Sequence, residues 1–233
     1  MDTNIITIQH LTKRYGSTVA LYDLNIDIVR GKIVGLLGPN GCGKTTLIKL
    51  LANLLNRYEG KITIDGFEPG VETKNLISYL PDRNYLPDSW DATKAFAFFK
   101  DFYPDFNVEK ANKLLSRLGI EPSLKFKHMS KGTKEKLQLI LVLSRDAKCY
   151  LFDEPIAGVD PAARELIFEL ILENYNKEAT VIISTHLIYD VEKILDYAIF
   201  LKNGVITRYG EVGQIRRATD KTLEQLFKED FRC

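Results

Sequence analysis

The sequence predicts an α/β fold in which an N-terminal antiparallel β subdomain joins an α/β core, and an α-helical subdomain is inserted into that core. Three observations carry this reading. Apolar and polar residues alternate through the first third of the chain. An apolar strand then runs directly into a glycine-rich turn and a helix-periodic segment. Strand and helix alternation is interrupted between about residues 90 and 144, where the spacing is helical only.

The elements follow in order. Ile6, Ile8 and Leu11 lead into a turn at Tyr15–Gly16, and Leu24, Ile26 and Ile28 alternate with Asn25 and Asp27, the period-two pattern of strands. After a turn at Arg30–Gly31–Lys32, Ile33–Leu37 reads as a buried strand that the glycines of 38–43 terminate. From Lys44 to Leu55, the residues Leu47, Leu50, Leu51 and Leu54 recur at helical spacing. Lys61–Asp65 and Leu76–Leu80 read as short strands. Leu114, Leu115, Leu118, Leu137, Ile140 and Leu141 carry the helical block. Alternation resumes with a strand at Tyr150–Phe152, a helix at Pro161–Asn174, a strand at Thr180–Ser184 and a helix at Leu187–Leu195. A hairpin at Ala198–Leu201 and Val205–Thr207 turns at Asn203–Gly204, and Asp220–Phe231 forms a short terminal helix.

Composition narrows the function. Of 233 residues, 45% are hydrophobic and 27% charged, and 32 Lys and Arg against 31 Asp and Glu leave a net charge of +1. Disorder is disfavoured, and so is nucleic-acid binding driven by a positive field. The run Lys125, Lys127, Lys131, Lys134, Lys136 reads as a solvated face, so no nucleic-acid partner is expected. Three cysteines make no disulfide framework and point to a reducing compartment. No apolar run approaches the roughly 20 residues of a membrane span, and the N-terminus lacks a signal peptide. The expectation is a cytoplasmic protein that reaches a membrane only through another chain.

Gly38-Pro39-Asn40-Gly41-Cys42-Gly43-Lys44-Thr45-Thr46 matches G-x-x-x-x-G-K-[ST]. Glycines permit unusual backbone angles and close approach, so successive N–H groups can cradle phosphate oxygens, while the following helix points its positive end at the same anion. Lys44 can reach the β- and γ-phosphates and Thr45 can ligate Mg²⁺. The match sits between a predicted strand and a predicted helix, the context this chemistry requires. A second site follows at Tyr150-Leu151-Phe152-Asp153-Glu154-Pro155, where two carboxylates close an apolar strand. Ligands bind at such strand ends in parallel sheets. Asp153 suits the Mg²⁺ shell and Glu154 suits polarisation of an attacking water.

With these two sites, the chain resembles the nucleotide-binding subunit of ATP-binding-cassette (ABC) transporters, a P-loop NTPase fold, over nearly its whole length. The resemblance implies one ABC ATPase domain spanning 1–233 that binds and hydrolyses ATP with Mg²⁺. It implies a head-to-tail dimer with a second copy or a homologous subunit, and a separate transmembrane permease that places the chain at the inner face of the cell membrane. Residue by residue, Tyr15 stands where the family stacks an aromatic ring on adenine. Ser130 and Gly132 match the signature motif that faces the partner's γ-phosphate, and Asp160 matches the dimer-contact loop while also suiting a helix N-cap before Pro161. His186 matches the switch histidine on the γ-phosphate. The resemblance thus makes Glu154, His186 and Lys44 the catalytic set, and Thr45, Asp153 and Asp82 the metal-side residues.

Two positions depart from the family pattern. Asp82 replaces the usual glutamine after Ile77–Pro81, changing reach and charge near the metal. Met129-Ser130-Lys131-Gly132-Thr133 replaces Leu-Ser-Gly-Gly-Gln, so Lys131 adds a cation. Opposite charge changes at positions the family brings near one nucleotide suggest that they offset each other. The Ser-Lys-Gly form and compact cassette resemble bacterial exporters of drugs or antimicrobial peptides. A non-transport ATP switch and a regulatory module without turnover are the alternatives.

Three further readings complete the sequence. Trp90, Phe96, Phe98, Phe99, Phe102, Tyr103 and Phe106 read as the core of the helical block, with a groove for a membrane partner's helix as the functional alternative. Cys42, beside a helix N-terminus, is expected to have a lowered thiol pKa. Cys149 reads as a buried strand residue and Cys233 as a free terminal thiol.

Overall fold

The computed structural model describes residues 3–231, with the backbone alone at Ala162. In chain order the elements are β1 (Asn4–Tyr15), β2 (Thr18–Val29), β3 (Ile33–Leu37), α1 (Lys44–Leu51), β4 (Glu59–Ile64), α2 (Val71–Leu76), β5 (Ile77–Leu80), α3 (Ala92–Phe102), α4 (Val108–Arg117) and α5 (Lys131–Leu143). There follow β6 (Cys149–Asp153), α6 (Pro161–Asn174), β7 (Thr180–Thr185), α7 (Ile188–Val191), β8 (Tyr197–Lys202), β9 (Val205–Glu211), α8 (Val212–Thr219) and α9 (Leu223–Asp230).

Two sheets organise them. A three-stranded antiparallel sheet runs β2-β1-β4, and a six-stranded sheet runs β5-β6-β7-β3-β8-β9 with β9 antiparallel to an otherwise parallel set. Every residue of β3, β6 and β7 is buried, as expected of central parallel strands covered on both faces. The register pairs Leu37 with Thr185 and Asp153 with Ser184, so the carboxyl ends of β3, β6 and β7 stop side by side. Whatever follows these strands therefore meets at one place.

The core has two parts. Ile6, Ile8, Leu24, Ile26 and Ile28 of the antiparallel sheet close over Val34, Leu36, Leu47 and Leu151. On the other face, Leu137–Leu143 of α5 are all buried, and with Phe96, Phe106, Leu114 and Leu115 they seat the helical insertion against Tyr150, Phe152 and Ile183.

Several boundaries differ from the pattern read in the sequence. The helix after the glycine loop ends at Leu51, because Asn53 takes a left-handed φ of 52° and turns the chain out, leaving Leu54 exposed. Leu76 closes the short helix α2, which the Thr73 side chain begins by accepting from the Gly70 N–H, and the strand starts one residue later. Leu187–Leu195 is one four-residue helix followed by a 3-10 turn. The terminal helix starts at Leu223, where Thr222 and Gln225 cap each other's backbone. Cys233 lies outside the described residues.

Candidate active site

The loop from Gly38 to Gly43 joins β3 to α1, and its shape depends on missing side chains. Gly43 has a φ of 112° and a Cβ there would lie 2.8 Å from the Ala20 carbonyl. A Cβ on Gly38 would lie 2.4 Å from the Leu201 carbonyl. Gly43 offers α1 no side-chain cap, so the positive end of that helix stays open to an anion.

Lys44 is buried at the first position of α1. Its Nζ donates to the Gly38 carbonyl at 2.6 Å and the Pro39 carbonyl at 3.1 Å, and stands 3.1 Å from Glu154 Oε1. Thr45 Oγ1 donates to Asp153 Oδ1 at 3.0 Å. Ser184, at the end of β7, does two things: its hydroxyl donates to Asp153 Oδ1 at 2.8 Å and accepts from the Glu154 N–H at 3.0 Å. Glu154 takes a left-handed φ of 51°, unusual for a non-glycine residue, and this bends the chain off β6 toward β7. There its Oε2 meets His186 Nδ1 at 3.0 Å. A cavity of about 250 Å³ opens beside Lys44, Thr45 and Glu154, bordered also by Ala20, Asn40, Gly41, Gly43, Thr46 and Asp82.

Burial pushes the Asp153 carboxyl above its ordinary range, against the opposing hydrogen bonds from Ser184 and Thr45. Its Oδ2 is buried without a partner. An orphaned carboxylate oxygen beside a hydroxyl is a hard-oxygen donor set of the kind Mg²⁺ takes alongside substrate phosphates. Among the described residues no group of three or more His, Cys, Asp or Glu could hold a metal unaided, so phosphate oxygens and water must complete any such shell.

Other sequence-singled residues lie elsewhere. Tyr15 is 47% exposed at the tip of the β1–β2 hairpin, with the Lys13 ammonium 5.0 Å over its ring. Ser130 caps α5, accepting from the Thr133 N–H at 3.2 Å, and a Cβ on Gly132 would meet nothing within 4 Å. Asp160 is exposed at the start of α6, its carbonyl accepting from the amides of Ala163 and Arg164. None of these four borders the phosphate-loop cavity of its own chain. Asp82 does, on a loop that Gln138 of α5 pins through the Tyr85 amide and Asn84. Asp82 and Lys131 line a second cavity of about 270 Å³ together with Glu135 and Glu154, so the two departures share one cavity within one chain.

The Cys42 expectation is corrected. The thiol is only 3% exposed, and burial raises its pKa more than Lys44 lowers it. Cys149 is buried, as read. The aromatic cluster divides between core and surface. Phe96 and Phe106 are core, whereas Phe99 and Tyr103 line a groove of about 520 Å³ with Leu54 and Tyr85. Phe98 and Phe102 are exposed, 4.5 Å apart.

Two residues escaped the sequence reading. Ser184 had one signal, a hydroxyl directly after the apolar run Val181–Ile183. Arg145 had none. It is buried, pairs with Asp105, donates to the carbonyls of Asn75 and Ile77, and lies 3.8 Å from the Tyr103 ring centroid, joining the insertion to the core.

The family described as ABC transporter matches residues 21–157, more than half of the chain. The chain belongs to the ABC transporter family. It is an ATP-binding subunit of that family, and such cassettes are ATPases. The cassette is 29% identical over 231 residues to the lantibiotic transport ATP-binding protein SrtF of Streptococcus pyogenes, covering 97% of each chain. It is 28% identical over 210 residues to the Nod factor export ATP-binding protein I of Cupriavidus pinatubonensis, covering 87% of this chain and 65% of that one. A solved structure of an ABC transporter ATP-binding subunit superposes with a TM-score of 0.85 at 28% identity, covering 97% and 98% of the two chains. Among the described residues no helix is long and apolar enough to cross a membrane.

Proposed function

We propose that this cassette binds MgATP on the loop 38–46 and hydrolyses it to power export through a separate membrane permease. The observation that carries the reading is that Lys44 and Glu154 stand 3.1 Å apart on the cavity the phosphate loop borders, with His186 held against Glu154 from behind at 3.0 Å. Residues 1–233 act as one cassette with its helical insertion at about 90–144. The loop amides, the α1 N-terminus and Lys44 hold the β- and γ-phosphates, and Tyr15 stacks on the base. Thr45 and Asp153, with Asp82 nearby, would hold Mg²⁺, which when bound neutralises phosphate charge. Glu154 accepts a hydrogen bond from the attacking water as its oxygen bonds to the γ-phosphorus. The bond to the β–γ bridging oxygen breaks, ADP leaves with that electron pair, and the water proton ends on inorganic phosphate. His186 holds Glu154 in place.

The exposed Ser130, Gly132 and Asp160 complete the nucleotide site of a second copy or a homologous subunit, head to tail. The groove lined by Phe99 and Tyr103 receives the permease, which keeps the cassette at the cytoplasmic face of the membrane. Export is supported by the relatives named for Nod factor export and lantibiotic transport. The test is co-expression of the full chain with a candidate membrane permease. MgATP hydrolysis that co-purifies with the membrane chain, and outward movement of cargo in vesicles, is expected. A cassette that hydrolyses MgATP but neither binds a membrane chain nor drives cargo movement would overturn the transport role, and ATP-driven inward movement would overturn export.

A further inference from the structure

The two loops that shape the hydrolytic site are tied at both ends. At the near end, the loop after β6 and the loop after β7 meet through Glu154 and His186 at 3.0 Å and through the Glu154 amide on Ser184. At the far end stands Arg164 of α6. Its Nε donates to the Val159 carbonyl at 3.0 Å, and its Nη1 meets Asp190 Oδ2 at 2.8 Å. Val159 immediately precedes Asp160, and Asp190 lies on α7, four residues past His186.

We propose that Arg164 and Asp190 are positioning residues for ATP hydrolysis: their pair fixes the spacing of the two loops, and so holds His186 on Glu154 and aims Asp160. The planar guanidinium suits this task, since one fork serves a carbonyl and a carboxylate at once. Burial makes the link strong enough to matter. The side chains of Arg164 and Asp190 are 23% and 25% exposed, whereas Lys131, which reaches the same loop at the Gly158 carbonyl, is 67% exposed and screened by water. Neither residue touches the phosphate loop, so nucleotide binding and turnover respond separately.

This inference rests on Glu154 and His186 serving hydrolysis, and the test separates the two. Arg164→Met, Asp190→Asn and the double variant are made in the full chain. kcat is expected to fall about tenfold, inside the roughly 2- to 150-fold range that coupled neighbours span. The ATP KM stays within about twofold, and the double variant is no slower than either single one. Arg164→Lys recovers part of the loss. A second measurement needs no turnover: amide exchange quickens at residues 156–160 and 186–188 in Arg164→Met, with β6 and β7 unchanged. Wild-type kcat in both single variants overturns the proposal, as do additive losses or unchanged exchange at these loops. A wild-type chain that hydrolyses no ATP, yet shows the faster exchange on Arg164→Met, overturns the hydrolytic role while the loop tie stands.

Discussion

Glu154→Gln is expected to move affinity and turnover in opposite directions. Before any phosphate can engage Lys44, the ammonium must leave Glu154 Oε1, 3.1 Å away in a pocket where the two side chains are 4% and 12% exposed. The contact is an ion pair by distance, and Glu154 Oε1 accepts no hydrogen bond, so the substitution removes charge attraction alone. Close ion pairs range from about 1 kcal/mol at the surface to about 1.5 kcal/mol and more when desolvated, so Gln loosens the hold on Lys44 by about 1–1.5 kcal/mol. At 1.36 kcal/mol per tenfold change, ATP binds roughly five- to twelvefold more tightly. The same change removes the carboxylate that orients water, a loss of about 10²–10⁴ in kcat. Equilibrium titration with MgATP gives the first quantity and phosphate release the second. Weaker binding together with lost turnover would show that Glu154 does not compete for Lys44, and retained turnover would remove it from the chemistry.

Three other outcomes follow from the geometry. Tyr15→Ala should weaken ATP binding by about 1–3 kcal/mol, the range of a base on an aromatic ring, while Tyr15→Trp keeps it; equal affinity in Tyr15→Ala would remove the stacking role. Arg145→Met leaves Asp105 and the Asn75 and Ile77 carbonyls without their cation, so urea unfolding should show a loss of about 3–5 kcal/mol, and a loss under 1 kcal/mol would mark the network as incidental. Cys42 should alkylate with N-ethylmaleimide far more slowly than free cysteine at neutral pH. Its raised pKa moves the reactive thiolate to higher pH, and MgATP should slow the reaction further. A rate equal to free cysteine, followed by mass spectrometry, would contradict the burial argument.

What could be read from the sequence was what is contiguous. The phosphate loop is legible because nine consecutive residues carry both its conformation and its charge, and the flanking strand and helix announce themselves by period. Asp153 and Glu154 are legible because they end an apolar run. Short helices were not: α8 buries only Val212 and Ile215, too few positions to establish a period, and α2 buries only Thr73.

The sequence by itself determined the loop 38–46, the acidic strand end, and the order of the strands and longer helices. Each of these is set by backbone preference and hydrophobic spacing within a few residues. Tertiary structure alone decided that Ser184 bridges Asp153 and Glu154, that Glu154 stands between Lys44 and His186, that burial overrides the helix end at Cys42, and that Arg164 reaches Asp190. These depend on which strands lie side by side, and on how far water is excluded between them. Pairings across 26 to 110 residues leave no periodic trace along the chain, because sheet order brings them together.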